Sequence, residues 1–539
     1  MNENLYAILA QHFPADPRAP CMVLGDGRVW TYGDMIHASA RMANLLASLG
    51  LEPGDRVAVQ VEKSPEALVL YLACLRAGTV FLPLNPAYQR HELAYFLADA
   101  TPGLFVCRPQ MRPLADELAN ELADQSHRAG ARLQVLELDD AGRGSLIDAA
   151  APHADEFATV ARERGDLASI IYTSGTTGRS KGAMLTHGNL AANARVLHAY
   201  WHFQPGDVLL HMLPIFHVHG LFIATHCALM NGSPMLFEPK FDPRRALALL
   251  PQASVFMGVP TYYVRLLAEP GFDRAACVRM RLFISGSAPL LAETHEQFRR
   301  RCGHTILERY GMTEGGMFTS NPYAGERRAG TVGFPLPGTE VRIADAHDQP
   351  VACGAVGGIQ VRGANVFAGY WNMPEKTAEE FTTDGWFKTG DLGKCDADGY
   401  ISIVGRSKDL IISGGLNIYP KEIEEVIDAL PGVVESAVVG LPDADFGEAV
   451  TAVVVRAGNA AAANLREAAT GLSEAAAGLS EAGIIAALRQ TLARFKVPKR
   501  IVFAADLPRN AMGKVQKNLL REALGSAQQD LLRNPVAKS

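Results

Sequence analysis

Through roughly its first 400 residues the chain alternates short apolar runs with stretches of helical period. "RVAVQV" (56–61) reads as a strand, "PEALVLYLACLRAG" (65–78) as a helix and "VFLPL" (80–84) as a strand again. A parallel neighbour needs a crossover long enough for a helix, so this alternation predicts an α/β architecture with largely parallel sheets. At 539 residues the chain exceeds what a single core holds, and more than one domain is expected. The composition, 48% apolar and 20% charged, is that of a soluble globular protein. The net charge of −6 gives no broad attraction to nucleic acid. No window offers the roughly 18 apolar residues of a membrane span. The start, "MNENLYAILAQHF", lacks the basic and apolar regions of a signal peptide. The eight cysteines form no Cys-x-x-Cys pair, so free thiols in a reducing compartment are expected. These features together predict a cytoplasmic protein.

The pattern changes near Lys408. "GWFKTGDLG" (385–393) is rich in turn residues, and "YISIVGRSKDLIISGG" (400–415) reads as two alternating runs joined at Gly405-Arg406-Ser407-Lys408. "YPKEIEEVIDAL" follows, with Pro420 placed to open a helix and acids in its first turn. "VESAVVG" and "AVTAVVV" read as further strands. A large domain over 1–407 and a small α+β domain over 408–539 are therefore expected. Within the latter, 456–483 is Ala-rich and repeats "GLSEA" seven residues apart; it reads as a surface insertion, partly helical.

"YTSGTTGRSKG" (172–182) sits after an apolar run, "LASIIYTSG", and ahead of "HGNLAANARVL", which has helical spacing. A strand, a Gly-rich turn and a helix set backbone N–H groups around a phosphate. Thr173, Ser174, Thr176 and Thr177 add hydroxyl donors and Lys181 a mobile charge. The ATPase pattern G-x-x-x-x-G-K-[ST] fails here: counted from Gly175, Ser180 stands where the second Gly belongs and Gly182 where the Ser/Thr belongs.

The stretch instead resembles the phosphate loop of the adenylate-forming superfamily, which holds acyl-CoA synthetases, adenylation domains and luciferases. "ERYGMTE" (308–314), "GWFKTGD" (385–391), "GRSKDLI" (405–411) and "PRNAMGK" (508–514) follow in the family's order. The resemblance covers the chain apart from the Ala-rich insertion. It implies α/β subdomains plus a β-barrel-like part in the large domain, hinged to the small one. It also implies a two-step reaction using ATP, Mg²⁺ and CoA. A carboxylate attacks the α-phosphorus to give acyl-AMP and pyrophosphate, and a thiol then displaces AMP. The carboxylate is already nucleophilic at pH 7, so positioning and charge neutralisation should carry the catalysis.

By the same resemblance, Thr173 to Gly178 and Lys181 surround the β- and γ-phosphates. Glu314 stands by Mg²⁺, with Thr176 as a second ligand, and Thr313 touches the α-phosphate. Gly286, Ser287 and Ala288 of "SGSAP", with Glu308, Arg309, Tyr310 and Gly311, form the adenine side. Asp391 takes the ribose hydroxyls and Arg406 supports it. Lys514 meets the attacking carboxylate and the α-phosphate. Lys408 is the hinge about which the small domain would turn, withdrawing Lys514 and bringing Gly414 and Gly415 to the thioester side.

Longer stretches, among them 61–88, 217–222, 281–291 and 307–338, resemble malonyl-CoA synthetases. A second carboxylate is costly to bury without a cation or several donors, and His217, His219 and Arg281 are the candidates, with Met317 lining the pocket. His217 also stands where many relatives carry a pocket-shaping His. Gly315 and Gly316 replace bulkier polar residues of malonate-type relatives, an exchange that would widen the pocket. Methylmalonate, or a medium-chain or aryl acid in an apolar tunnel, is therefore the alternative substrate. A standalone adenylation enzyme loading a carrier protein is the alternative acceptor reading. No obligate protein partner is called for. A fold-keeping but inactive binding protein would show damage at Lys514, Glu314, Asp391 or the loop, and all are intact. A phosphotransferase would release ADP rather than AMP.

Overall fold

The computed structural model describes residues 2–125, 133–173, 180–413, 416–443, 446–456, 479–510 and 513–533. By contacts the chain divides into two compact units. The first is Met1–Val341 with Gln360–Phe387, and the second is Arg342–Ile359 with Lys388–Ser539. The division falls earlier in the chain than Lys408; compactness and a pivot need not coincide. Among the described residues no helix is long and apolar enough to cross a membrane.

Two sheets build the first unit. One has six strands in the order Gln134–Glu137, Leu104–Cys107, Arg56–Gln60, Val80–Pro83, Leu167–Thr173 and Lys181–Thr186. All its neighbours are parallel except the last pair. The other has nine strands, with a parallel centre that includes Leu209–His211, Val255–Gly258, Leu282–Ser285 and Leu307–Met312. Val255–Gly258 and Leu282–Ser285 read as near-continuous apolar runs because both faces are covered. Pro65–Ala77 is a helix buried along its whole length. Ser64 caps its start by accepting from the Ala67 N–H, and Gly78 ends it in the left-handed conformation at φ 75°. Under the nine-stranded sheet, Phe256, Tyr263, Phe283 and Phe298 interlock edge to face.

One local expectation is corrected. The Gly-rich loop does not run straight into a helix. The chain returns as the strand Lys181–Thr186, antiparallel to Leu167–Thr173, before the helix His187–Tyr200 starts. Thr186 ends that strand and caps the helix, its Oγ1 accepting from the Asn189 N–H at 3.0 Å.

The second unit follows the sequence expectation in its elements. Val433–Asp443 and Gly447–Arg456 form a long antiparallel pair, with Arg500–Ala504 parallel to the latter. Pro420 opens the helix Pro420–Asp428 at its first position. Ile423 and Ile427 of that helix share a core with Ile484 and Leu488. Helix Glu481–Thr491 is capped by Ser480, so the C-terminal end of the 456–483 stretch is regular structure; residues 457–478 lie outside the described residues.

Candidate active site

In the first unit the nucleotide motifs meet at strand ends, where open α/β sheets leave ligand crevices. Thr173 and Lys181 face each other across the antiparallel pair that closes the Gly-rich loop. Ser174, Gly175, Thr176, Thr177 and Gly178 lie outside the described residues, as do Gly414 and Gly415. Lys181 Nζ is 3.3 Å from Glu380 Oε1 and 4.2 Å from the centre of the Tyr370 ring. The Tyr370 hydroxyl donates to Glu314 Oε1 at 3.0 Å. One aromatic residue thus ties the loop's lysine to the carboxylate that the motif assigns to the metal. Thr313 and Glu314 occupy the turn between Leu307–Met312 and Gly316–Ser320. A Cβ on Gly311 would overlap the Gly316 carbonyl, so only glycine fits that turn.

A second cluster forms beyond strand Leu282–Ser285. Ser287 adopts a left-handed backbone at φ 71°, and its Oγ lies 3.2 Å from His219 Nδ1. His219 opens a one-turn π-helix, His219–Ala224, a form often found at functional sites. Its Nε2 is buried without a hydrogen-bond partner. Burial, then the neighbouring Arg309, pushes its pKa well below the ordinary histidine value, so His219 is neutral at pH 7. His217 Nδ1 accepts from the His219 N–H at 3.2 Å. Glu308 Oε1 accepts from the Leu290 N–H at 3.2 Å. Tyr310 packs against Phe318, with ring centres 5.9 Å apart.

Arg309 is the unexpected member. It is 2% exposed, and its Nε and Nη2 have no hydrogen-bond partner. Those two atoms form one edge of the guanidinium, the fork that takes a carboxylate with two parallel bonds. Burial pushes its pKa down to about 10, so it keeps its charge at pH 7. A Cβ on Gly286 would overlap the guanidinium, so the glycine of "SGSAP" lets the arginine lie against the backbone.

Arg281 does not serve as the acid-pocket cation. Its Nε donates to Asp207 Oδ1 at 2.8 Å and its Nη2 to Asp207 Oδ2, while the Tyr323 ring covers it at 5.4 Å. It also precedes the first residue of strand Leu282–Ser285, whereas Gly286 and Ser287 follow the last. Nor do Gly315 and Gly316 open space. The Phe318 ring occupies the position of a Gly315 side chain, and the Asn193 amide that of Gly316, which sits at φ 66°. Leu185, Leu190, Val218, Phe222 and these two glycines bound a cavity of about 10 Å³, room for roughly one water. Met317 is buried beside them, its backbone N–H and carbonyl both bonded to the Asn193 amide.

In the second unit, Asp391 and Arg406 pair across an antiparallel ladder, with Arg406 Nε 2.9 Å from Asp391 Oδ1. Lys514 follows Gly513, whose φ is 73°, and its N–H donates to Asn510 Oδ1 at 3.0 Å. Arg509 anchors this turn to Glu435. The Lys514 ammonium has no ion pair among the described residues; burial, then Arg406, pushes its pKa down to about 8. Lys408 lies in the turn Ser407–Asp409, where Asp409 is held by Arg521 at 2.7 Å.

Comparisons with known proteins give the class of enzyme to which these motifs belong. A family model described as AMP-binding enzyme matches residues 9–371, and one described as AMP-binding enzyme C-terminal domain matches 422–514. The solved structure of ATP-bound MatB from Rhodopseudomonas palustris is 52% identical, covering 98% of this chain and 100% of that one, with a TM-score of 0.90. A malonate–CoA ligase of Arabidopsis thaliana is 34% identical over 92% of this chain and 85% of its own length. A feruloyl-CoA synthase of an Amycolatopsis species is 36% identical over 91% and 93%. The chain belongs to the AMP-binding enzyme family, with the adenylate-forming fold of a large N-terminal and a small C-terminal domain, and it is an AMP-forming acyl-CoA synthetase.

Proposed function

We propose that this protein joins malonate to CoA, using ATP, through a malonyl-adenylate and with release of AMP and pyrophosphate. The observation that carries the choice of acid is the unfilled Nε/Nη2 edge of Arg309. Glu308 lies close enough to favour the charge, but a buried guanidinium edge without hydrogen bonds is costly; a substrate bringing a second carboxylate removes that cost and gains two charge-assisted bonds. His219 and Ser287 stand by the same cluster as neutral groups that orient without adding charge. The malonate–CoA ligase and MatB relatives support the same reading.

Mg²⁺ bound with ATP would be held by Glu314, with Thr176 and phosphate oxygens completing a hard oxygen shell, and would neutralise charge on the leaving pyrophosphate. A lone buried carboxylate oriented by Tyr370 suits an ion that keeps most of its shell from phosphate and water. Lys181 exchanges Glu380 for the β- and γ-phosphates, and Thr313 steadies the α-phosphate. Asp391, held by Arg406, takes the ribose. Lys514 brings its charge to the attacking carboxylate during adenylation. A turn about Lys408 withdraws Lys514 and lets the thiol of CoA attack the acyl carbon. The enzyme is read as cytoplasmic.

The test is AMP release with CoA on malonate, methylmalonate, acetate, octanoate and benzoate. Malonate is expected to lead the panel. Equal or better turnover of octanoate or benzoate would remove the assignment of acid.

A further inference from the structure

Behind the π-turn that carries His219 lies a polar chain that the reaction scheme does not use. Lys63 is buried. Its Nζ is 2.8 Å from His211 Nδ1, 2.8 Å from the His211 carbonyl and 4.2 Å from the centre of the Phe237 ring. It makes no ion pair among the described residues, and the nearby Glu238 carboxylate is engaged by Arg245 at 2.9 Å. His211 is buried too, and its Nε2 lies 3.0 Å from the Gly220 carbonyl.

That carbonyl is the anchor of the π-turn. It accepts from the Thr225 backbone N–H, five residues on, and from Thr225 Oγ1 at 2.9 Å. The third donor is His211. As an ammonium ion Lys63 has only donors to offer, so His211 Nδ1 accepts from it, and the ring proton then sits on Nε2 facing Gly220. His211 Nε2 also lies 3.2 Å from Thr225 Oγ1; with Lys63 gone the ring is free to carry its proton on Nδ1, and its Nε2 would then oppose the carbonyl lone pairs and draw the Thr225 hydroxyl away from Gly220. Gly220 has no slack of its own: a Cβ there would overlap the Pro214 carbonyl. The peptide so anchored, Gly220–Leu221, belongs to the residue next to His219, whose ring reaches Ser287.

We propose that Lys63 and His211 are positioning residues for acid specificity: Lys63 fixes the His211 tautomer, and His211 with Thr225 pins the Gly220 carbonyl and so seats His219 in the acid pocket. The inference rests on the reading of Arg309, His219 and Ser287 as that pocket. The plain alternative is that Lys63 only stitches the loop after strand Arg56–Gln60 to strand Leu209–His211.

Steady-state kinetics on the full chain separate the two, with malonate and butyrate as acids. Lys63→Met and Thr225→Val are each expected to raise the malonate KM about tenfold, the size of one orienting hydrogen bond. The ATP KM and the butyrate kcat/KM should stay within about twofold, a change below the worth of one hydrogen bond. His211→Gln, whose amide can accept from Lys63 and donate to Gly220, should retain most of the malonate affinity that His211→Leu loses. Thr225→Val removes a single hydroxyl at constant shape, so it remains informative should His211→Leu fail to fold. Parallel losses with both acids, or an unchanged malonate KM in both Lys63→Met and Thr225→Val, would overturn the proposal. Arg309→Met, run alongside, keeps the two readings apart: if it spares malonate, the pocket itself is misassigned; if it removes malonate use while the other variants do nothing, only the positioning role falls.

Discussion

Arg281 and Arg309 offer the same chemical edge in two different settings. The Nε and Nη2 of Arg281 are filled by the two oxygens of Asp207. The same atoms of Arg309 have no hydrogen-bond partner among the described residues. Arg281 stands before strand Leu282–Ser285 and Arg309 lies within Leu307–Met312, two parallel neighbours in one sheet. The difference separates a guanidinium spent on structure from one whose edge, in the function proposed here, takes the acid. Charge alone does not mark a binding residue; an unspent bonding edge in a buried place does. Lys514 extends the contrast into the second unit. Arg406 beside it is paired with Asp391, whereas Lys514 has no ion pair among the described residues.

The sharpest way to break this comparison is to remove an unpaired cation. Lys514→Ala should abolish malonate-dependent pyrophosphate exchange while sparing much of thioester formation from supplied malonyl-AMP. Normal exchange in that variant would show that the lysine is not needed for adenylation. Arg309→Met should lower kcat/KM for malonate by roughly 30-fold to several thousandfold, corresponding to about 2–5 kcal/mol for truncating one partner of a buried charge pair. Removing the paired cation should act on stability instead. Arg281→Met leaves Asp207 buried and unpaired. A loss of about 2 kcal/mol is expected in urea unfolding, below the 3–5 kcal/mol range for fully buried pairs, because Arg281 keeps 19% of its side chain exposed. Its malonate KM should not change.

Two pH effects are smaller. The Lys514 pKa is lowered to about 8, so its charged form persists below that value. Malonate-dependent kcat/KM should fall as the pH rises through about 8, and Lys514→Ala should lack this limb. The lowered value also means that the charged lysine costs stability below about 8, a cost that fades as the pH climbs toward the ordinary lysine range. Asp207 has the opposite sign. Burial pushes its carboxyl up, but Arg281 and the bonds from Gln204 and Ser254 prevail and hold it below the ordinary range. Its stabilisation is complete above the unfolded value of about 3.9 and is lost as the pH falls through the folded one. Urea melts near pH 3.5 and pH 7 should show this acid loss in the parent and a flatter response in Arg281→Met.

The family and its fold were legible in the sequence because each of the marks that carry the resemblance is a contiguous motif. "ERYGMTE" and "KTGD" carry their own turns, and "PKEIEEVID" starts its helix at Pro420 as the pattern predicts. The proposed acid side was legible only in part: His219 stood among the candidates, while Arg309 and Ser287 did not. Its parts come from three distant segments, around His219, Ser287 and Arg309, and Arg309 sits inside a motif that the resemblance gives to the nucleotide. Arg281 looked available because sequence does not tell which end of a strand a residue occupies or that Asp207 lies opposite. Gly315 and Gly316 looked like empty space because sequence does not reveal that Phe318 and Asn193 fill it. Tyr370, 56 residues after Glu314 in the chain, gave no signal beyond an aromatic in a turn-rich stretch.

The most direct test of the malonate assignment is the ratio of kcat/KM for malonate to that for butyrate, measured in the parent, in Arg309→Met and in Arg281→Met with the ATP KM as control. The ratio is predicted to collapse by roughly 30-fold or more in Arg309→Met and to hold in Arg281→Met. An unchanged ratio in Arg309→Met, with both acids falling together, would contradict the account.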